Sequence, residues 1–244
     1  MIKRTASVIA FALFLVAGLA SAQVDDRARE LLEGLNPDGR TVELTTLDQT
    51  MTMTMYQGGD ELVTTTRVVI DYVGRRAALV SEVMGMATTM VHRDGATVMK
   101  MNGMTIPVPP GMDQAFNGAF DQTGAANLLD DPDAVATYDG VVSYADVLSG
   151  HQVTYTGDFG LPGSGVDATT VRFVFDDAGQ LLGQVIDGGG TDLAYVFVGE
   201  PKAEGLLFYD AEMYEVSGGT ATPFASIRYD DITINGPLDE ALFE

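Results

Sequence analysis

The sequence predicts a mainly β (α+β) protein, with a single curved antiparallel sheet of about ten or eleven strands and helices over its concave face. Two observations predict this fold. Apolar and polar residues alternate along most of residues 42–101 and 135–234, which is the period of a half-buried strand. Turn-forming residues such as GGD at 58–60 and DG at 94–95 separate these runs, as hairpins require.

Two segments depart from the alternation and predict helices. Residues 25–35 begin with two aspartates, whose carboxylates favour a helix N-terminus, and end before the turn NPDG at 36–39. The apolar stripe of this helix consists of Ala28, Leu31, Leu32 and Leu35. A second, short helix is predicted at 113–120, where Phe116 and Phe120 are spaced at i, i+4.

Residues 1–22 have the pattern of an export signal. A basic start is followed by an apolar stretch at 8–19 and by a small-residue cleavage site that ends at Ala22. With cleavage after Ala22, we expect a single domain at 23–244 that is periplasmic or secreted. The chain contains no cysteine, so a lipobox cysteine cannot be acylated, and no stable membrane insertion is expected.

The chain is strongly acidic. Its formal net charge is −22 at pH 7, and loss of a signal that contains Lys3 and Arg4 would change the charge to −24. Such a charge repels nucleic acid and anionic lipid surfaces, so nucleic acid is not an expected partner. The sequence has no G-x-S-x-G, no H-E-x-x-H and no cysteine. We expect a monomeric protein that is not an enzyme and needs no cofactor.

The methionines are the most informative residues. Ten of the 12 lie between residues 51 and 112, and most occupy alternate positions, so MTMTM at 51–55 predicts one strand face of thioethers and one of hydroxyls. Thioether side chains are apolar, unbranched and adaptable, which suits a wall for a flexible apolar ligand, although ordinary sheet core is the other interpretation. The candidate ligand-facing methionines are Met51, Met53, Met55, Met84, Met86, Met90, Met99 and Met101.

A soft metal is an alternative ligand for some of the same residues. Thioethers select Cu(I), and M-x-M spacing on a strand directs two sulfurs to one side. His92 has the parity of Met90, so the candidate Cu(I) ligands of a metallochaperone are Met84, Met86, Met90 and His92. A Cu(I) site would need only about three or four ligands, fewer than the methionines in this region.

The C-terminal run IRYDDITINGPLDEALF at 227–243 resembles the closing segment of the LolA/LolB-like lipoprotein carrier family. In that family the last strand ends in an Asn, followed by a Pro-Leu-Asp-like turn and a Leu-Phe pair. The stretch VHRDGATVMKMNG at 91–103 is similar to another segment of the family, and the order of signal, helix, long strand and Gly turn also agrees. The resemblance implies an unclosed barrel with a helical lid over an apolar cavity.

The resemblance also implies a function. A LolA-like protein binds the acyl chains of lipoproteins or lipids and shuttles them toward the outer membrane, so envelope proteins that donate and accept the ligand are possible partners. The methionines would line the cavity, Phe116 and Phe120 would cap it from a lid helix, and Leu31, Leu32 and Leu35 would pack the first helix over the mouth. A non-catalytic envelope interaction or sensor domain on the same fold is a further alternative.

One feature of the family is absent from this chain. The family's lid latch is an Arg just before a Pro on an early strand, and no Arg-Pro pair occurs here. The nearby arginines are Arg67, Arg75 and Arg76, and the sequence does not assign the latch to any of them.

Overall fold

The computed structural model describes residues 24–35, 43–83, 85–108, 111–120, 128–129, 133–157, 169–187, 190–203 and 208–244. The predicted signal at 1–22 lies outside these residues. Among the helices in the described ranges, none combines the length and the apolar character that a membrane crossing requires.

The described chain is mainly strand, as predicted. A 3-10 helix, Glu240–Phe243, follows the last strand. The other elements, in chain order, are α1 (Asp26–Glu33), β1 (Thr46–Gln57), β2 (Asp60–Asp71), β3 (Arg76–Val83), β4 (Met86–Arg93), β5 (Ala96–Met101), β6 (Met104–Ile106), α2 (Met112–Phe120), β7 (Val135–Tyr144), β8 (Leu148–Gly157), β9 (Thr169–Phe175), β10 (Leu181–Asp187), β11 (Asp192–Val198), β12 (Asp210–Ser217) and β13 (Thr220–Ile234).

All 13 strands belong to one sheet, in the order β6-β5-β4-β3-β2-β1-β13-β12-β11-β10-β9-β8-β7. Every pair of neighbours is antiparallel, and β1–β13 is the one pair whose members are not consecutive in the chain. The sheet is therefore two meanders joined at a seam, with β6 and β7 at its two edges. Because the edge strands β6 and β7 do not pair with each other, the sheet is an unclosed β half-barrel, which confirms the predicted fold class. The strand count exceeds the predicted ten or eleven, since short strands such as β6 show no clear period.

Asn235 holds the seam at the end of β13. Its backbone has a φ of 55°, a left-handed conformation that Asn tolerates better than most residues. Its side-chain Oδ1 accepts hydrogen bonds from the N–H of Thr45 at 2.7 Å and from the hydroxyl of Thr45 at 2.9 Å. Its Nδ2 donates to the carbonyl of Glu43 at 2.9 Å. One residue therefore fixes the start of β1 against the end of β13.

One face of the sheet, which we call the inner face, is covered by α1 along β7 to β10. The helix begins at the cap Asp25, whose carboxylate accepts from the N–H groups of Arg27 and Ala28 at 2.8 and 3.3 Å. The side chains of this buried core are Ala28, Leu31, Leu32, Ala134, Ala136, Val153, Tyr155, Val171, Phe173, Phe175 and Leu181. Close packing of α1 therefore fills this half of the inner face.

The C-terminal 3-10 helix packs on the opposite, outer face. Phe243 is buried there against Val69 of β2 and Ala78 of β3. Arg76 donates both to Asp71, at 2.8 Å, and to Glu240, at 2.5 and 2.8 Å, and its guanidinium lies 4.5 Å from the centre of the Phe243 ring. The last residues of the segment that resembles the family tail therefore stabilise the sheet from its outer face, whereas its first residues belong to β13.

We expect Asn235→Ala to lower the free energy of unfolding by about 3 kcal/mol, because Ala loses the side-chain hydrogen bonds and is strained at positive φ. Asn235→Gly is the matched control, since Gly adopts this φ freely and loses only the hydrogen bonds, at a cost of about 2 kcal/mol. Urea unfolding measures both values. Equal stability of both variants and the wild type would show that Asn235 does not hold the seam.

Candidate ligand-binding site

The strand register places the predicted methionines on one face. On β1, Met51 lies opposite Thr66, Met53 opposite Thr64 and Met55 opposite Leu62. The cross-strand rows continue through β3 to β4 and β5, where the methionines of both strands have the same orientation as those of β1. The described members of this set, which we call the methionine face, are Met51, Met53, Met55, Met86, Met90, Met99 and Met101. Met84 lies outside the described residues.

The methionine face and α1 are on the same side of the sheet. Across the seam, Met55 pairs with Ala225, which pairs with Met213 of β12, and Met213 pairs with Tyr195 of β11. The same row runs on through β10 to Phe173 of β9, a core residue beneath α1. The thioethers therefore belong to the inner face, on the half of the sheet that α1 does not cover.

Charge is sorted between the two faces of β1 to β5. The outer positions carry Asp48, Glu61, Arg67, Asp71, Arg76, Glu82, Arg93 and Lys100. On the inner positions the ionisable side chains are His92 and, at the tip of the β1–β2 hairpin, Asp60. The charged side chains of β1 to β5 are therefore concentrated on the outer face, and the methionine face is almost free of charge.

The two halves of the inner face differ in exposure. Beneath α1, Tyr155 and Phe173 are fully buried. On the methionine face, Met55 and Met86 remain 39% and 46% exposed, whereas Met90 is buried at 7% exposure. Between the methionines of β1 and those of β5 the same face carries the hydroxyl side chains of Thr66, Ser81 and Thr88. An almost uncharged, partly exposed face that is rich in thioethers is a surface on which an apolar ligand can bind.

Helix α2 covers the end of the methionine face at which Met90 is buried. The imidazole of His92 stacks on Phe116, with the ring centres 5.2 Å apart, and lies 5.5 Å from the ring centre of Phe120. The guanidinium of Arg75, in the β2–β3 turn, lies 5.5 Å from the centre of the Phe120 ring. Of the three arginines considered for the latch, Arg75 is therefore the one in contact with α2. Arg67 is paired with Asp48 on the outer face.

A chain of hydrogen bonds determines the tautomer of His92. The hydroxyl of Thr97 donates to the carboxylate of Asp113, at the start of α2. Because this hydroxyl has only one proton, its oxygen must accept from Nδ1–H of His92, at 2.9 Å. Neutral His92 therefore carries its lone pair on Nε2, which is buried and has no hydrogen-bond partner among the described residues.

Burial lowers the pKa of His92 below its usual value of 6.5, since a charged imidazolium would be poorly solvated in this position. Asp113 on α2 acts in the opposite direction, and the positive charge of Arg75 lowers the pKa further. The ring is therefore neutral at pH 7, in agreement with its contacts to the apolar rings of Phe116 and Phe120.

The other predicted site residues have distinct positions. Leu31 and Leu32 are buried in the core under α1, and Leu35 packs at its margin, so these side chains pack against β7 to β10. Phe120 is buried and Phe116 half-buried, both against His92. The candidate Cu(I) ligands Met86, Met90 and His92 share the inner face.

Sequence reasoning missed Thr97 and Asp113, which connect α2 to β5 and orient His92. The only available signal was the parity of Thr97 with Met99 on β5, because contact with Asp113 depends on how α2 docks.

The second histidine, His151, is hydrogen-bonded through both ring nitrogens, to Tyr138 at 2.7 Å and to Asp177 at 3.1 Å. In the described ranges, no group of three or more histidine, aspartate or glutamate side chains could hold a metal ion.

Solved structures of low sequence identity are similar to this chain. A DUF1329 family protein from Desulfovibrio piger is 12% identical, with a TM-score of 0.48 and coverage of 91% of this chain and 98% of that one. A domain described as outer membrane lipoprotein-sorting protein from Vibrio parahaemolyticus is 12% identical, with a TM-score of 0.44 and coverage of 89% and 96%. A LolA superfamily protein from Nitrosomonas europaea is 13% identical, with a TM-score of 0.41 and coverage of 89% and 97%.

Two of these structures are described by the words lipoprotein-sorting and LolA superfamily. No protein-family model matches the chain, and no curated protein sequence matches it. The identities are too low to transfer a function from one protein to another, so the function is inferred from this chain's own residues.

We expect the wild-type protein to lose stability as the pH falls through 6.5. The pKa of His92 is lower in the folded than in the unfolded chain, so the unfolded chain takes up the proton first. The contribution of neutral His92 is present above 6.5 and is lost as the pH falls toward the folded pKa, with a slope of at most about 1.4 kcal/mol per pH unit.

His92→Phe is the control for this pH dependence, because Phe keeps an aromatic ring in contact with Phe116 and Phe120. Urea unfolding of both proteins from pH 8 to 5 should show a smaller loss for the variant, since the carboxylates titrate in both. Identical pH profiles would contradict the lowered pKa of His92.

Proposed function

We propose that the protein is an extracytoplasmic carrier that binds acyl chains of lipoproteins or lipids on the inner face of its half-barrel and shuttles them toward the outer membrane. The observation that carries the proposal is the uncharged, half-exposed methionine face. The rest of the chain has an excess of carboxylates, and α1 covers the inner face along β7 to β10. Phe116 and Phe120 of α2 form the cap at one end.

The energetics of acyl burial favour such a face. Each buried methylene gains about 0.8 kcal/mol, so a long acyl chain gains on the order of 10 kcal/mol in leaving water. A carrier has to offer the acyl chain enough apolar contact to obtain most of this free energy, and it must also be able to release the ligand. Flexible thioether side chains can repack around chains of different shape, and a short helix held by a few contacts can move aside.

The length of the face also suits the ligand. The six-residue separation of Met86 and His92 on β4 corresponds to about 20 Å along the strand. An acyl chain laid along β4 would therefore run from the exposed end at Met86 to the end that α2 covers. The inner-face side chains of β3 and β5, among them Leu79 and Met99 opposite Met90, would flank it on its two sides.

We expect the double variant Met53→Asp, Met86→Asp to bind acyl ligands at least about tenfold more weakly, because a carboxylate against an acyl chain must lose its hydration. Val63→Asp is the matched control: Val63 is 50% exposed, close to the value for Met86, but it lies on the outer face of β2. Displacement of a fluorescent apolar probe by lauric acid measures binding to each protein.

Retained binding in a folded double variant would refute the assignment of the methionine face. Loss of binding in Val63→Asp as well would show that added charge, and not its position on the inner face, is responsible. Organic extraction and mass spectrometry of the protein purified from its own envelope would identify the natural ligand, and an extract without acyl compounds would favour an interaction or sensor domain.

A Cu(I) metallochaperone is the second candidate, because Met90 and His92 share the inner face of β4 and Met99 lies directly opposite Met90. Nε2 of His92 has no hydrogen-bond partner among the described residues, and in the neutral ring it carries the lone pair that a metal ligand requires. Replacement of Met90 and Met99 by Leu discriminates the two functions. An acyl-binding face should tolerate both changes, whereas Cu(I) binding measured by competition with a chromogenic chelator should be lost.

A further inference from the structure

Two buried polar atoms have no hydrogen-bond partner in the part of the chain that the structure describes: Nε2 of His92 and Oε1 of Gln49. Buried polar groups in native proteins are nearly always paired, so each exception needs an explanation. Both residues lie on the inner face. His92 pairs with Ala77 and Thr97 across β3 and β5, and Gln49 pairs with Val68 across β2, in the row that leads to Met90.

Both atoms are hydrogen-bond acceptors. An amide oxygen can only accept, and Nε2 of His92 is an acceptor because Thr97 and Asp113 hold the proton of the ring on Nδ1. Two acceptors without donors on one apolar face indicate that the missing partner is a donor. A buried acceptor without a donor raises the free energy of the folded protein. A ligand that donates a hydrogen bond to such an acceptor would remove this cost.

We propose that His92 Nε2 is a polar subsite for the bound ligand, at which an acyl compound donates an N–H or O–H group from its polar end. The inference rests on the proposed function and specifies its ligand class: long-chain compounds with a donor at the polar end, such as fatty amides and fatty alcohols, are preferred over esters of equal chain length. Gln49, on β1, offers the same kind of acceptor farther along the face.

The position of His92 agrees with this role. It lies at the end of the methionine face that Phe116 and Phe120 cover, so an acyl chain along β4 would place its polar end beneath α2. The donor would then be shielded from water. A hydrogen bond discriminates most strongly between ligands at a site that excludes water. Thr97 and Asp113 are positioning residues, because they act only through the tautomer of His92.

The test compares three ligands of equal chain length in displacement of a fluorescent apolar probe from the full mature protein. Dodecanamide supplies an N–H donor, 1-dodecanol supplies an O–H donor, and methyl dodecanoate only accepts. We expect wild-type protein to bind the amide and the alcohol about tenfold more tightly than the ester. His92→Phe should reduce the affinity for both donors to that for the ester and leave the ester unchanged. Thr89→Val, on the outer face of β4, should change none of the three.

The outcomes separate the two proposals. If none of the three ligands binds, the acyl-carrier function is wrong. If all three bind wild-type protein equally, or if His92→Phe keeps the preference for donors, the carrier function stands and the His92 subsite is overturned.

A measurement on wild-type protein avoids dependence on the folding of the variant. With 15N-labelled histidine, the Nε2 resonance of His92 should move on addition of dodecanamide and stay in place with methyl dodecanoate. The same shift with both ligands would overturn the subsite.

Discussion

The antiparallel pairing of β1 with β13 is the contact on which the rest of the structure depends. In every other pair of neighbouring strands the two strands are consecutive in the chain, whereas this seam joins the first strand to the last. Without it the chain would be two separate meanders, each with an additional exposed edge. Met51, Met53 and Met55 lie on the seam strand β1, so the inner face is continuous only while the seam is closed. Asn235 holds that closure at one end.

The two meanders use the inner face differently. Beneath α1, aromatic and branched side chains of β7 to β10 are fully buried and form a conventional core. On β1, β4 and β5 thioethers occupy many of the corresponding positions, whereas β2 and β3 contribute threonine, serine and aliphatic side chains. Met55 and Met86 remain partly exposed there. The charged residues of these strands are on the outer face, where several pair with one another or with the C-terminal segment. One sheet therefore provides a rigid support and an adaptable surface, while a high negative charge maintains solubility.

The alternation of methionines predicted the shared face because residue parity in a strand determines which side a side chain occupies. Within MTMTM that inference needs no knowledge of which strands are neighbours, whereas the common side of β1, β4 and β5 follows only from the register of the strands between them. The position of α1 could not be predicted in the same way: its stripe of leucines indicates that one side is buried but not which half of the sheet receives it. The link from His92 through Thr97 to Asp113 depends on three elements that meet only after α2 docks. The role of Asn235 likewise requires a partner strand that lies about 190 residues away.

The separation of the seam strands in the sequence has a consequence for the order of folding. Hairpins of neighbouring strands close short loops and can form early, whereas the β1–β13 contact closes a loop that spans most of the chain. During synthesis, β13 is the last strand to leave the ribosome. The continuous inner face would therefore arise only after β13 is available, and a chain that lacks β13 would leave the methionines of β1 without this partner strand. Such intermediates are the species on which we expect chaperones to act.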